Sequence, residues 1–373
     1  MPTMRSIDHN YLPQQFGNAN TLMSKIRDVV RRSDFTLGAE VAAFEKEFAA
    51  MCGVKHAIGV GNGTDAIFLA LRSLGVKPGR GEVITTPYSF YATTAMIIAA
   101  GATPVFVDVG RDFNIDVTKI EKAITPHTVG IVPVHWAGRP CNMADIMAIA
   151  KENGLWVVED CAHAPASVYR GKRCGSFGAV NTFSLHPLKN VNVWGDGGVI
   201  VTDSDEKAAH LRKLRNHGMS DRNTCEFWGF NSRLDTVQAV VARHVLEGIE
   251  YLTFRRRENA EYLNHELGGI AGIELPATPP DVEPNYYLYS FHAERRDALR
   301  EYLERHGVDA KVHYPTPLHL QPAAKSIGAF KRGDFPNAEW CADTTISLPV
   351  HEWVTEEQLE RMATLVHEFY EAS

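Results

Sequence analysis

The chain has 373 residues, of which 45% are hydrophobic and 22% are charged, and its formal net charge is −7. This composition is typical of a globular protein that is long enough for a large core and two domains. Acidic residues outnumber basic ones and no basic block occurs, so nucleic acid is not expected as a partner. No apolar run is long enough for a membrane helix, so no membrane partner is expected either.

The cysteines and the N-terminus indicate the cellular setting. The six cysteines are scattered and form no Cys-x-x-Cys pair. This pattern favours reduced thiols over disulfides or a zinc site, so no metal ion is predicted. The N-terminal sequence MPTMRSIDHNYLPQQFG lacks the basic and apolar regions of a signal peptide. We therefore expect a cytoplasmic α/β protein.

Predicted helices and apolar strands alternate in the first 160 residues. Helices are predicted at 21–32, 40–50, 66–74, 92–100 and 143–153, and strands at 57–60, 82–86, 103–108, 129–135 and 155–159. This alternation is typical of a mostly parallel sheet covered on both faces. Ligands bind such sheets beyond the carboxyl ends of the strands. Polar or aromatic residues that closely follow predicted strands are therefore site candidates: Thr64, Phe90, His135, Asp160, Ser184 and Lys189.

A glycine-rich turn, Gly61-Asn62-Gly63-Thr64-Asp65, joins the first predicted strand to a helix. Backbone N–H groups point outward at the start of a helix and form an anion site. Thr64 is placed to cap this helix and to offer its hydroxyl to a phosphate. A plain capping turn remains the alternative.

Residues 157–198 combine an acid pair, Glu159-Asp160, with Lys189 and a following glycine-rich turn. A pyridoxal phosphate enzyme needs a lysine that forms a Schiff base and a carboxylate that keeps the pyridine nitrogen protonated. This stretch therefore indicates such an enzyme, although neither residue establishes it alone. Glu159 faces the opposite way along the strand and is interpreted as structural.

The C-terminal third has a different character. A strand is predicted at 199–202 and a helix at 205–216, followed by one long helix from Asp235 whose apolar stripe continues to Leu252. Beyond about residue 254 the pattern indicates a smaller α+β unit. We predict a large domain over residues 1–250 and a small C-terminal domain over residues 251–373.

Seven segments stand in this order along the chain: GAEVAAFEKEFAAMCGVKHAIGVGNGTDAI (38–67), TTPYSFYATTAMI (85–97), VEDCAHA (158–164), FSLHPLKNVNVWGDGG (183–198), LRNHG (214–218), GFNSRLDTVQA (229–239) and HYPTPLHLQP (313–322). Together they resemble the DegT/DnrJ/EryC1/StrS sugar aminotransferases, a branch of the fold-type I pyridoxal phosphate enzymes. The resemblance implies an aspartate aminotransferase-like, three-layer αβα large domain with a mostly parallel sheet, and a smaller α+β C-terminal domain.

The resemblance also implies roles in binding the cofactor's ring. Lys189 matches the Schiff-base lysine, and Asp160 matches the carboxylate that pairs with the pyridine nitrogen. His163 matches a position near the phenolic oxygen, with a packed core histidine as the alternative. Phe90 matches the residue that stacks on the pyridine, with ordinary core packing as the alternative.

Other matched residues concern the phosphate, the partner subunit and the substrate. Thr64, the backbone N–H of Asp65 and Ser184 match the phosphate site. Asn231 matches an asparagine that reaches the neighbouring subunit's cofactor, which implies a homodimer with shared active sites. Tyr314 and His319 match positions that border the sugar.

The reaction implied by the resemblance is a two-stage transamination that passes through pyridoxamine 5'-phosphate. Glutamate or glutamine gives its amino group to a keto sugar, most often a nucleotide-linked keto-deoxysugar. The alternatives are a cyclitol ketone or unactivated keto sugar as acceptor, a sugar 3-dehydratase, and a non-catalytic regulatory relative. Dehydratases of this family replace the lysine with histidine, whereas Lys189 is kept here. A nicotinamide enzyme is disfavoured because no G-x-G-x-x-G follows the first strand.

One segment departs from the pattern of many relatives. His186-Pro187-Leu188 stands before the lysine, where Tyr-Pro-Thr or Tyr-Pro-Gly is frequent. The histidine adds a titratable group near the predicted site, as a substrate contact or as a loop variant. The sequence does not name the sugar.

Overall fold

The computed structural model describes residues 6–79 and 81–371. The helices are α1 (Leu12–Gln15), α2 (Asn20–Arg32), α3 (Ala39–Cys52), α4 (Gly63–Ser73), α5 (Tyr91–Ala100), α6 (Ile120–Ala123), α7 (Met143–Glu152), α8 (Asp205–Leu214), α9 (Thr236–Leu246), α10 (Ile249–Leu267), α11 (Arg296–Arg305), α12 (Pro336–Thr344) and α13 (Glu356–Glu371). The strands are β1 (His56–Val60), β2 (Glu82–Thr85), β3 (Thr103–Phe106), β4 (Thr128–Ile131), β5 (Trp156–Val157), β6 (Val168–Tyr169), β7 (Lys172–Arg173), β8 (Asn181–Ser184), β9 (Gly198–Thr202), β10 (Ile273–Glu274), β11 (Val282–Glu283), β12 (Tyr289–Ala293) and β13 (Thr345–Leu348).

The central sheet has the strand order β3-β2-β4-β5-β8-β9-β1. Strands β3, β2, β4 and β5 pair in parallel. Single-residue parallel bridges from Asp160 to Val134 and to Thr182 join this group to β8. Only β9 runs opposite to its two neighbours, β8 and β1, within this sheet. The mostly parallel sheet predicted from the sequence is therefore confirmed, and the parallel strands end at one edge.

Helices cover both faces of this sheet. In β9, Val199 and Val201 pack into a core with α3 and α9, while Ile200 faces a second core with α4 and α8. Alternate residues of a strand point to opposite faces, so one apolar strand serves both cores. The result is the three-layer arrangement that the sequence predicts.

A second, smaller sheet and its helices lie toward the C-terminus and are called the C-terminal layer here. Strands β10, β12 and β13 form an antiparallel sheet, and α10, α11 and α13 pack against it in a separate apolar core. Ile7 from the N-terminal end of the described chain is buried in the same core. The α+β character expected here is confirmed, whereas the limit at residue 250 stays a prediction.

The single long helix predicted from Asp235 is wrong. The chain forms two helices, α9 and α10, and the turn between them contains Gly248. The N–H of Gly248 bonds the carbonyl of Val245 at 3.1 Å, so the regular helical pattern stops there. Glycine disfavours a helix interior, and the apolar stripe continued across the break. Among the described residues, no helix is long and apolar enough to cross a membrane.

Candidate active site

A cavity of about 320 Å³ lies at the carboxyl edge of the central sheet. Seven of the residues predicted from the sequence line it: Thr64, Phe90, Asp160, His163, Ser184, Lys189 and Tyr314. They come from segments that follow β1, β2, β5, β8 and β12. The parallel strands bring these distant segments together, as the sequence analysis expected.

Asp160 contributes a buried carboxylate to this cavity and is only 4% exposed. Its Oδ2 accepts a hydrogen bond from the Thr93 hydroxyl at 2.7 Å, and its Oδ1 accepts one from the N–H of Ala162 at 3.1 Å. Burial raises the pKa of Asp160, and the Thr93 bond opposes that rise. The structure thus holds an acid whose ionised form depends on nearby donors or positive charge.

Lys189 faces the same cavity from the loop between β8 and β9. Its Nζ lies 4.4 Å from the centroid of the Tyr287 ring. Burial lowers the pKa of Lys189 to about 7, and the negative charge of Asp160 partly offsets this effect. Near neutral pH a large fraction of the amine is therefore unprotonated and can act as a nucleophile or take up a proton.

The start of α4 and the end of β8 form a close-fitting polar corner of the cavity. A Cβ added to Gly63 would lie 2.6 Å from Cβ of Ser184 and 3.0 Å from its Cα, so only glycine allows this approach. The contact places the Ser184 hydroxyl beside the first turn of α4. The N–H groups of Gly63 and Thr64 belong to that first turn, where the helix itself supplies no acceptor. Such a corner can bind an anion.

The residue that caps α4 differs from the prediction. Asn62 is the N-cap, and its Oδ1 accepts the N–H of Asp65 at 2.7 Å. Thr64 lies inside the first turn and does not cap the helix. The N–H of Asp65, predicted to bind phosphate, is therefore already bonded, and the N–H groups of Gly63 and Thr64 are better placed for an anion.

His163 and Tyr287 form one wall of the cavity, and their rings stack with centroids 4.4 Å apart. Nδ1 of His163 accepts the N–H of Ala137 at 3.2 Å. Burial holds the pKa of His163 well below its usual value. The neutral imidazole then carries its proton on Nε2, so His163 can donate a hydrogen bond from that atom.

Phe90 and Tyr314 form another wall. Phe90 precedes α5 and is half exposed, and its ring centroid lies 6.0 Å from that of Tyr314. Tyr88 supports this wall from behind, because its hydroxyl donates to the carbonyl of His313 at 2.7 Å and accepts the N–H of Tyr314 at 3.0 Å.

Four residues singled out as site candidates in the sequence lie apart from the cavity of their own chain: Asp65, His135, Asn231 and His319. The Asp65 carboxylate accepts a bond from the Ser232 hydroxyl at 2.6 Å. Asn231 is exposed and pairs with Asn216 through an isolated bridge. His319 is buried, with Nε2 bonded to Glu339 at 3.0 Å. The sugar contact predicted for His319 is corrected, since its ring is packed in the interior.

Glu159 and His135 lie on the other side of the sheet edge. Glu159 is fully buried and accepts bonds from the N–H groups of Gly175, Phe177 and Gly178. His135 donates from Nε2 to Glu159 at 3.0 Å, and its Nδ1 accepts the N–H of Cys141. Ligand atoms of His135, Glu159 and Cys161 lie within 4.8 Å of one another. The hydrogen bonds of His135 and Glu159 explain this cluster as structural, as predicted for Glu159.

Sequence reasoning missed Thr93, Tyr287 and Tyr11. Thr93 lies one helical turn after Phe90, and a buried carboxylate needs a donor, so a search for hydroxyls near Phe90 would have found it. Tyr287 and Tyr11 reach Lys189 from distant parts of the chain and leave no local signal. All six cysteines are free, and only Cys225 is exposed.

The fold and the site define an α/β enzyme with a buried lysine and a buried carboxylate at the carboxyl edge of its sheet. Residues 18–367 match the DegT/DnrJ/EryC1/StrS aminotransferase family. The chain belongs to this family and is an aminotransferase. The resemblance seen in the sequence is thus confirmed.

Individual relatives cover almost the whole chain. The dTDP-3-amino-3,4,6-trideoxy-alpha-D-glucose transaminase of Streptomyces venezuelae is 42% identical over 348 residues, which are 93% of this chain and 91% of that protein. A pleiotropic regulatory protein of Geobacillus stearothermophilus is 41% identical over 353 residues, 94% of each chain. The structure of S. venezuelae DesV in complex with a ketimine intermediate has a TM-score of 0.95 and 39% identity, and 99% of each chain is covered.

Proposed function

We propose that this protein moves an amino group from glutamate or glutamine to a keto sugar, with pyridoxal 5'-phosphate as cofactor. The observation that carries the proposal is the meeting of Lys189 and Asp160 in one cavity at the sheet edge. Burial lowers the pKa of the amine to about 7 and raises that of the carboxyl group. Opposite pKa shifts at two neighbouring groups in a cleft are typical of catalytic residues.

The side chains fit the separate parts of pyridoxal phosphate. Lys189 supplies the amine for its aldehyde, and Asp160 supplies the carboxylate for its ring nitrogen. The corner of Gly63, Thr64 and Ser184 suits the phosphate, because it brings the N–H groups of the first turn of α4 close to the Ser184 hydroxyl. Glycine at position 63 allows this approach, since alanine there would clash with Ser184. Phe90 offers an aromatic face to the ring.

Each of these residues has a defined task. Bound pyridoxal phosphate supplies an electron sink for negative charge at the donor's alpha carbon. Asp160 would stabilise the positive charge on the ring nitrogen, and the hydrogen bond from Thr93 favours the ionised form of Asp160. Lys189 would take the proton from the donor's alpha carbon and deliver it to the former aldehyde carbon of the cofactor, for which a pKa of about 7 is well matched. His163 would donate a hydrogen bond from Nε2 to the phenolic oxygen of the cofactor.

For the acceptor we propose a nucleotide-linked keto-deoxysugar. Support comes from the S. venezuelae relative, whose name specifies a dTDP-linked amino sugar. His186 and Tyr314 line the cavity beside Lys189, where they can bind sugar hydroxyls. The test is a panel of dTDP- and UDP-linked keto sugars, cyclitol ketones and free keto sugars, with release of 2-oxoglutarate from glutamate as readout. Turnover of only the unlinked ketones would contradict this choice.

We also propose a homodimer in which Asn231 completes the partner's site. Asn231 is exposed and remote from its own cavity, and Trp228, three residues earlier, is 93% exposed. A large exposed aromatic residue beside a polar one favours a protein interface. In mixtures of Lys189→Ala and Asn231→Ala chains, mixed dimers would carry one intact site. Equal mixing should restore about a quarter of wild-type activity, and no restoration would contradict shared sites.

The catalytic assignment is tested by Lys189→Ala, with Lys122→Ala as a control on the exposed face of α6. We expect Lys189→Ala to lose both the visible absorbance of the bound cofactor and turnover, because no other amine is assigned to the cavity. The control should keep both. Turnover near the wild-type rate in Lys189→Ala would overturn the proposal.

A further inference from the structure

Two segments meet beside the catalytic lysine: the N-terminal segment, residues 7–16, and the lysine loop, residues 185–197. The first part of the N-terminal segment is fixed to the C-terminal layer. The N–H of Ile7 bonds the carbonyl of Gly307 at 2.8 Å, and the carbonyl of Ile7 accepts the N–H of Asp309 at 2.9 Å. His351 donates from Nε2 to the carbonyl of Asp8 at 2.8 Å.

The second part of the N-terminal segment is fixed to the lysine loop. The Tyr11 hydroxyl donates to the main-chain carbonyl of Lys189 at 3.1 Å. The side chain of Asn192 donates to Oε1 of Gln15 at 2.9 Å. The rings of Phe16 and Trp194 meet edge to face, with centroids 5.4 Å apart. Ten residues therefore connect the C-terminal layer to the loop that carries the reactive amine.

Tyr11 is packed on all sides and is only 3% exposed. Its ring stacks on Trp353 with centroids 5.5 Å apart and lies 5.3 Å from the ring of His351. The guanidinium carbon of Arg256 lies 5.0 Å from the ring centroid. Burial raises the pKa of Tyr11 to about 12, so its hydroxyl remains a donor at neutral pH.

Tyr11 adds to the other supports of the lysine loop, which has its own internal bonds and whose Leu185, Val191 and Val193 are buried in the core with α3 and α9. The N–H of Lys189 bonds the carbonyl of His186, and Val193 bonds Leu185. On the far side, Gln238 bonds both main-chain groups of Trp194. The hydroxyl of Tyr11 reaches the carbonyl of the reactive residue itself. Small displacements of a reacting group cost large factors in rate, and about 1 Å can cost about a hundredfold.

We propose that Tyr11 is a positioning residue, which fixes the main chain of Lys189 and couples the lysine loop to the C-terminal layer. This inference rests on the proposed function of Lys189. Tyr11 acts through the lysine and does not line the cavity that holds Asp160. Loss of its hydroxyl should therefore slow each proton transfer by Lys189 and leave the cofactor bound.

The experiment compares holoenzyme carrying Tyr11→Phe with holoenzyme carrying Tyr370→Phe. Tyr370 also donates its hydroxyl to a main-chain carbonyl, that of Glu294, at 2.6 Å but far from the cavity. Single-turnover rates are measured with L-glutamate, and then in reverse with 2-oxoglutarate, per cofactor-loaded site. Because only these two compounds are used, the experiment does not require the sugar substrate to be identified. Counting loaded sites removes any effect of a smaller folded fraction.

We expect Tyr11→Phe to lower both rate constants about tenfold, with little change in the half-saturating concentration of either probe. Gln15→Ala, which removes the neighbouring hydrogen bond from Asn192, should lower both rate constants about threefold. Tyr370→Phe should match the wild type. Rates within twofold of wild type for Tyr11→Phe would overturn the inference, as would an equal loss in Tyr370→Phe or a loss of cofactor with normal rates at the remaining sites. A fully active Lys189→Ala protein would instead refute the proposed function.

Discussion

The hydroxyl of Thr93 is predicted to stabilise the protein mainly through its buried bond to Asp160, beside a longer contact of 3.3 Å with the Ser89 hydroxyl. Thr93 is 2% exposed, and its bond to Oδ2 of Asp160 is 2.7 Å long. A hydrogen bond to a charged group contributes about 1.5–3 kcal/mol. Thr93→Val keeps the shape of the side chain and removes the donor. It should therefore cost about 2 kcal/mol and raise the pKa of Asp160 further.

The neighbouring residue provides a matched control. The Thr94 hydroxyl is buried and has no partner among the described residues. Thr94→Val should then be neutral or slightly stabilising, because it removes an unpaired polar atom. Both substitutions lie in the same helix and change the same atoms.

The assay is thermal unfolding of the cofactor-free protein at pH 7. A chain of 373 residues has an unfolding entropy of about 0.8 kcal/mol/K, so a loss of 2 kcal/mol lowers the midpoint by about 2.5 °C. We expect this shift for Thr93→Val and less than about 0.5 °C of destabilisation for Thr94→Val. Equal shifts in the two variants, or none in Thr93→Val, would refute the role given to the hydroxyl.

Three further predictions follow from the walls of the cavity. Gly63→Ala should weaken binding of pyridoxal phosphate by about 1–3 kcal/mol, measured by titration, because its Cβ would lie 2.6 Å from that of Ser184. Tyr88→Phe should lower the free energy of unfolding in urea by about 1–3 kcal/mol, because two main-chain groups of residues 313 and 314 lose their partner. The rate at which cofactor-free protein bonds pyridoxal phosphate should rise with pH, with a midpoint near 7, because the reactive form of Lys189 is the neutral amine and burial lowers its pKa to about 7.

Each of these three predictions has a contradicting result. For Gly63→Ala the control is Gly248→Ala, whose nearest neighbouring atom would be 3.7 Å away, and equal affinities would refute the close approach. For Tyr88→Phe, a loss of stability no greater than that of Tyr370→Phe would refute the support that Tyr88 gives to residues 313 and 314. For Lys189, a midpoint near the value of about 10.4 that is typical of a solvated lysine would refute the burial effect.

The cavity could be anticipated because the rules for parallel sheets are general. Asp160, Lys189 and Phe90 each follow an apolar strand, and parallel strands bring their carboxyl ends to one edge. The burial of these residues and their pKa shifts depend on side chains from elsewhere and could not be read from the strands.

Other features could not be anticipated because competing residues carry similar signals. Asn62 and Thr64 are both good capping residues, and only the backbone path shows that Asn62 bonds Asp65. The apolar stripe of α9 and α10 crosses Gly248, so periodicity alone predicted one helix. Tyr11 is 178 residues from the carbonyl that it bonds, and His319 is buried by Glu339 from a later helix.

Borohydride reduction followed by peptide mass spectrometry tests the central assignment most directly. Reduction makes the bond between a lysine and pyridoxal phosphate permanent, so the modified residue can be located. We expect the cofactor's mass on the peptide that contains Lys189, and its loss when an excess of glutamate is added before reduction. The cofactor's mass on another lysine, or on none, would contradict the assignment of Lys189 as the catalytic amine.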